Sequence, residues 1–177
     1  MANLMVTHPT LPARNVRELI ALARARPGEI LYGSSGIGTN PHLTIELFSN
    51  MAVIKFTHVP YKSSTSIIDL VAGQIALSTS PLLLSLPHAR AGRLRMLGVT
   101  SANRVATAPD IPTISESGLP GFDSVQWYGM LAPAGTPRDI VMRLHDEFVR
   151  IVNTPDMRER VVQDAIERRQ AGSCAHQ

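Results

Sequence analysis

"LYGSSGIGTNPH", residues 31–42, places three glycines, two serines and a threonine between an apolar run and the start of a helix. A glycine-rich strand-to-helix loop belongs to α/β folds, and several chemistries use it. A dinucleotide fingerprint needs G-x-G-x-x-G, but Gly36-Ile37-Gly38 is followed by Thr39-Asn40-Pro41. A Walker phosphate loop needs Gly-Lys-Ser/Thr, and this loop holds no lysine. A nucleophile elbow needs G-x-S-x-G, and Gly33-Ser34-Ser35-Gly36-Ile37 fails at its last position. What remains is the physics of a helix start. Unpaired N–H groups and the helix dipole favour an anion, and glycines let backbone approach a ligand closely. Ser34, Ser35 and Thr39 add neutral hydroxyl donors of the kind a carboxylate needs. Taken alone, the loop fits a carboxylate cradle and a mere tight turn equally well.

On both sides of the loop, strand and helix patterns alternate. Strands are expected at 3–9, 30–35, 55–61, 75–80 and 93–101. Helices are expected at 15–29 with Asn15 as N-cap, at 40–52 with Asn40 as N-cap and Pro41 in the first turn, at 64–74, and from 81 towards 92. This alternation predicts an α/β fold with a mostly parallel five-stranded sheet and right-handed crossovers. In open α/β sheets, ligands sit outside the carboxyl ends of the strands. Tyr61 and Lys62 end the third expected strand, and Ser78, Thr79 and Ser80 end the fourth. The candidate ligand-binding residues are therefore Ser34, Ser35, Gly36, Gly38, Thr39, Tyr61, Lys62, Thr79 and Ser80.

From residue 102 the chain becomes turn-rich and has room only for a short helix near 113–118. Residues 125–137 read as a strand and turn, followed by two helices parted near Thr154-Pro155. The first of these, 138–152, collects Ile140, Val141, Leu144, Phe148, Ile151 and Val152 on one face.

Composition excludes some classes. The net charge is +3, the basic residues are scattered and aromatics make up 5%, which gives no nucleic-acid footprint. The single cysteine, Cys174, can form no disulfide within the chain. No apolar run is long enough to span a bilayer, and "MANLMVTHP" lacks the basic and apolar regions of a secretory signal. His42, His58 and His88 are not at metal-ligand spacings, and Glu46 and Asp69 fall on expected solvated helix faces. No pair of carboxylates suggests acid–base catalysis, and no metal or cofactor is implied. Trp127 and Tyr128 are expected in the core.

These residues carry a resemblance. "NLMVTHPTLPARNVRELIALARARPGEILYGSSGIGTNPHLTIELF", "HVPYK", "LPHARAGRLRMLGVTSANR", "PDIPTISESGLPGF" and "WYGMLAPAGTP", in this order, resemble the Bug/TctC family over roughly residues 3–165. That family comprises the extracytoplasmic solute receptors of tripartite tricarboxylate transporters. The resemblance implies a periplasmic-binding-protein-like class II fold, in which two α/β lobes close on a small carboxylate. It implies a periplasmic location, membrane transporter subunits as partners, and Ser35, Gly36, Gly38 and Thr39 as contacts. It assigns residues 2–126 to the second lobe and 127–177 to a return segment and helices that would join the first. The Pro-Gly-Gly-Gly-x-Asp loop of the first lobe is not present, so a receptor fragment is expected. Some relatives carry Asp-Asn near positions 78–80, where this chain has Ser78-Thr79-Ser80, which favours a carboxylate without an amino group. Without a first lobe, the 138–152 face lacks its usual partner, so a homodimer through residues 125–170 is expected. The alternative is a folded relic or interaction module that does not bind.

Overall fold

The computed structural model describes residues 1–157. Five strands and six helices follow in the order β1 (Asn3–Thr7), α1 (Val16–Ala25), β2 (Leu31–Ser34), α2 (Asn40–Ala52), β3 (Thr57–Pro60), α3 (Ser66–Val71), β4 (Leu77–Pro81), α4 (Leu82–Arg90), β5 (Arg95–Val99), α5 (Ile114–Ser117) and α6 (Arg138–Val152). The strands form one sheet in the order β3-β2-β4-β1-β5. Strand β2 is parallel to both β3 and β4, whereas β1 is antiparallel to both β4 and β5. Four strands therefore share one direction and β1 opposes them. A strand buried on both faces looks the same in sequence whichever way it runs, so the alternating pattern does not carry the reversal of β1.

Side-chain alternation sends successive residues of β1 to opposite faces of the sheet. Met5 joins Tyr32, Leu77 and Leu97 under α1 and α2, which contribute Val16, Leu19, Ile45 and Phe48. Leu4 and Val6 join Val99 on the other face, against Leu70 of α3 and Leu82 of α4. The result is a three-layer α/β/α core. Each fully buried large side chain contributes about 1.5–3 kcal/mol through removal from water. Asn15 caps α1 by accepting the Glu18 N–H, and Thr113 and Glu116 form a reciprocal capping box on the short helix α5.

Several expectations need correction. Thr39, not Asn40, is the N-cap of α2, and Asn40 is its first helical residue. Of the strand and turn expected over 125–137, the strand reduces to one bridge, Ala2 with Val125. Val, Trp and Tyr favour strands, but a strand needs a neighbour to pair with, and only residues 1–2 provide one. Trp127 and Tyr128 are accordingly 79% and 70% exposed instead of lying in the core. Helix α6 is found as expected, with none of its residues buried. The helix expected after Pro155 and Cys174 lie largely or wholly outside the described residues. No described helix is long and apolar enough to cross a membrane.

Candidate functional site

The four co-directed strands bring their carboxyl ends to one edge of the sheet. The reversed β1 brings Asn3 to the same edge, opposite Pro81. The expected strand-end residues are thus neighbours: the glycine loop follows β2, Tyr61 and Lys62 follow β3, and Thr79 and Ser80 lie near the end of β4. The Tyr61 N–H donates to the Ser34 carbonyl at 3.1 Å, Ser78 Oγ to the Gly33 carbonyl at 3.0 Å, and Thr79 Oγ1 to the Pro41 carbonyl at 3.3 Å. These bonds lock the three strand ends together.

The loop is held from within. The Gly36 carbonyl accepts from Thr39 Oγ1 at 2.7 Å, Ser34 Oγ at 3.0 Å and the Thr39 N–H at 3.3 Å. Ser34 Oγ in turn accepts the Gly36 N–H at 3.1 Å and lies 2.7 Å from His58 Nε2. With the hydroxyl proton on the Gly36 carbonyl, His58 presents an Nε2–H to Ser34. The Gly38 N–H donates to His42 Nδ1 at 3.3 Å. Gly36 at φ 132° and Gly38 at φ 77° occupy backbone conformations that other residues rarely adopt.

These partners sort the candidates. Ser34 is fully buried and braces the loop. The Thr39 hydroxyl proton and the Gly36, Gly38 and Thr39 amides are all committed inside the loop or to His42. The N–H groups of Ile37, Asn40 and His42 have no acceptor among the described residues, and they sit at the start of the 13-residue helix α2. Ser35 is partly exposed beside them, and Lys62 is exposed. Tyr61 Oη donates to Asp69 at 2.7 Å, and burial together with that bond pushes the phenol up to about 12. Thr79 is buried, and Ser80 Oγ is buried without a hydrogen-bond partner among the described residues.

Some site-forming residues escape sequence reasoning. Asn3 is buried and donates through Nδ2 to Asn40 Oδ1 at 2.7 Å, tying β1 to the start of α2. A lone asparagine opening an apolar strand is the only sequence signal for it. Glu46 is exposed as expected but also accepts from the buried Tyr32 Oη at 2.6 Å, and Asp69 is only partly exposed. Burial, reinforced by Glu46, raises the Tyr32 phenol far above its ordinary range. Burial and the neighbouring His42 lower His58 below the ordinary histidine value.

The glycine loop lines neither of two shallow concavities found elsewhere on the described surface. The larger, about 500 Å³, lies at the far end of α2 between Arg24, Asn50 and Lys55. The loop instead forms part of an open edge. No three His, Cys, Asp or Glu side chains converge as a metal site among the described residues.

Comparison with known proteins agrees with the fold. The family model described as tripartite tricarboxylate transporter family receptor matches residues 1–174. The UPF0065 protein in the tcbD-tcbE intergenic region of Pseudomonas sp. (strain P51) is 40% identical over 152 residues, which cover 85% of this chain and 45% of that protein. The chain thus spans a little under half the length of this relative. The structure of R. palustris Rpa4515 with adipate superposes with a TM-score of 0.82 at 36% identity, covering 93% of this chain and 55% of that one. MatC (Rpa3494) from Rhodopseudomonas palustris with bound malate gives a TM-score of 0.82 at 26% identity, covering 93% and 56%.

Proposed function

The chain belongs to the tripartite tricarboxylate transporter family receptors, and on that premise we propose that residues 2–126 form one ligand-binding lobe of a periplasmic receptor for a small dicarboxylate. The observation that carries this reading is the open edge at which the glycine loop presents the N–H groups of Ile37, Asn40 and His42, which have no acceptor among the described residues. A carboxylate there accepts from backbone donors and meets the positive end of the α2 dipole. Ser35 and Lys62 extend the donor set, while Ser34, Gly36, Gly38, Thr39 and Thr79 shape it. Tyr61 and Ser80 complete the wall. The adipate and malate bound in two similar structures support a small dicarboxylate as the ligand class. No acidic side chain follows β4, where Ser78-Thr79-Ser80 stand, so an ammonium group finds no partner there.

Residues from 127 onward act as the return segment towards a second lobe, and membrane transporter subunits are the receptor's partners. A second copy of the chain covers the exposed α6 face where no other lobe does. A thermal-shift and NMR screen tests the ligand class. Adipate and malate should perturb the 35–42 amides more strongly than aspartate or glutamate. Larger effects from the amino acids would overturn the ligand class. No effect from any of them would favour a folded module that does not bind.

A further inference from the structure

Two imidazoles lie against each other beside the glycine loop, their planes tilted by 35°. The rings of His42 and His58 lie 4.3 Å apart, and His58 stacks on Tyr32 at 4.7 Å. Both grip the loop, His42 through Gly38 N–H at 3.3 Å and His58 through Ser34 Oγ at 2.7 Å. The Gly38 contact needs an unprotonated Nδ1 and is lost when His42 becomes cationic. Two imidazolium ions at this spacing repel each other, so the pair readily takes only one proton. The other titratable groups facing it are Glu46 of α2, which favours protonation of His58, and Tyr32 of β2, whose phenol is held neutral against Glu46.

Resting on the carboxylate reading above, we propose that the His42–His58 pair is the titratable counter-charge of the site, so that an anion captured at the glycine loop brings a proton onto the pair. The chemistry is reciprocal. A proton on His42 turns the Gly38 N–H from an internal bond towards the ligand and places a cation beside the carboxylate. The carboxylate in turn offsets the cost of that cation. By linkage, whatever the anion does to proton affinity, the proton does to anion affinity. Unlike the backbone donors, which act at any pH, this contribution grows as the medium acidifies.

The test is an NMR titration of both imidazoles and the Gly38 amide in the 177-residue chain, with malate as probe and its neutral diamide as control. The imidazole midpoint should rise with malate but not with the diamide, and the Gly38 amide should shift with the same midpoint. Malate should bind several-fold more tightly at about pH 6 than at about pH 8, the range over which histidine changes charge. His42→Gln, which removes the titratable ring that faces the Gly38 amide, should lose most of the tightening of malate binding in acid. Malate binding with unmoved imidazoles and equal affinity at both pH values would overturn the coupling and leave the carboxylate reading intact. No perturbation of the loop by malate or adipate would overturn both.

Discussion

Gly38 sits at φ 77° with open space where a Cβ would go, so conformation alone selects glycine there. Gly38→Ala should cost about 1–2 kcal/mol, the usual penalty for a side chain in left-handed backbone. Gly36 is constrained twice, since a Cβ would also lie 3.3 Å from the Tyr61 carbonyl oxygen, and Gly36→Ala should cost more. Urea unfolding of the two variants checks this order, and equal stabilities would contradict it. His58 supplies a pH dependence whose sign follows from its burial. Its folded value lies below the ordinary 6.5, so the unfolded chain takes up the proton first as pH falls. The stability linked to neutral His58 is present above about 6.5 and is lost as pH drops below that value. Unfolding at pH values on either side of this window should show the loss, and His58→Gln should flatten it. Ser34→Ala leaves His58 Nε2–H and the Gly36 amide without their partner and should cost about 1–3 kcal/mol, again read by urea.

Helix α2 shows how far local signals reach. Its span, its early proline and its apolar positions are all legible in "NPHLTIELF", because they depend on neighbours within a few residues. Its cap is not. Thr39 takes the N-cap position while its hydroxyl bonds the Gly36 carbonyl, and Asn40 is drawn into the helix, where its side chain accepts from Asn3. Which hydroxyls are committed and which donors stay open depends on partners far along the chain, such as His58 for Ser34. The clustering of polar strand ends was legible, since four strands share a direction; the reversal of β1, which adds Asn3 to the edge, was not. Thr39 now has a changed role to test. If its hydroxyl fastens the loop instead of touching ligand, Thr39→Ser should retain both stability and malate affinity. Thr39→Ala should lose about 0.5–1.5 kcal/mol of folding stability, the net worth of one hydrogen bond. Weakened malate binding in Thr39→Ala with unchanged unfolding would instead make the hydroxyl a direct contact.

At the scale of the molecule, the chain enters and leaves the sheet side by side. The Met1 amino group donates to the Gln126 carbonyl at 2.7 Å, and the Gln126 N–H returns to the Met1 carbonyl at 2.9 Å. Both crossings lie at the edge that carries the glycine loop. Beyond them the chain turns apolar and exposed, with Trp127, Tyr128, Met130 and Leu131 followed by Ile140, Leu144, Phe148 and Ile151 of α6. Each large apolar side chain left in water forgoes about 1.5–3 kcal/mol of burial. Contiguous exposed apolar surface of this kind marks an interface. The α6 face can fold back onto its own sheet or pack on another molecule. The described core leaves it no seat, since α1, α2, α3 and α4 already cover both faces of the sheet. Association with a second copy is therefore the expected outcome when the 177-residue chain is studied alone. Light scattering across a concentration series should show mass rising towards a dimer, and Phe148→Glu should return it to the monomer while leaving the near-ultraviolet signature of the buried core unchanged. A monomeric mass at the highest concentration would mean that α6 has found cover within its own chain, and Phe148→Glu would then lower the unfolding temperature instead.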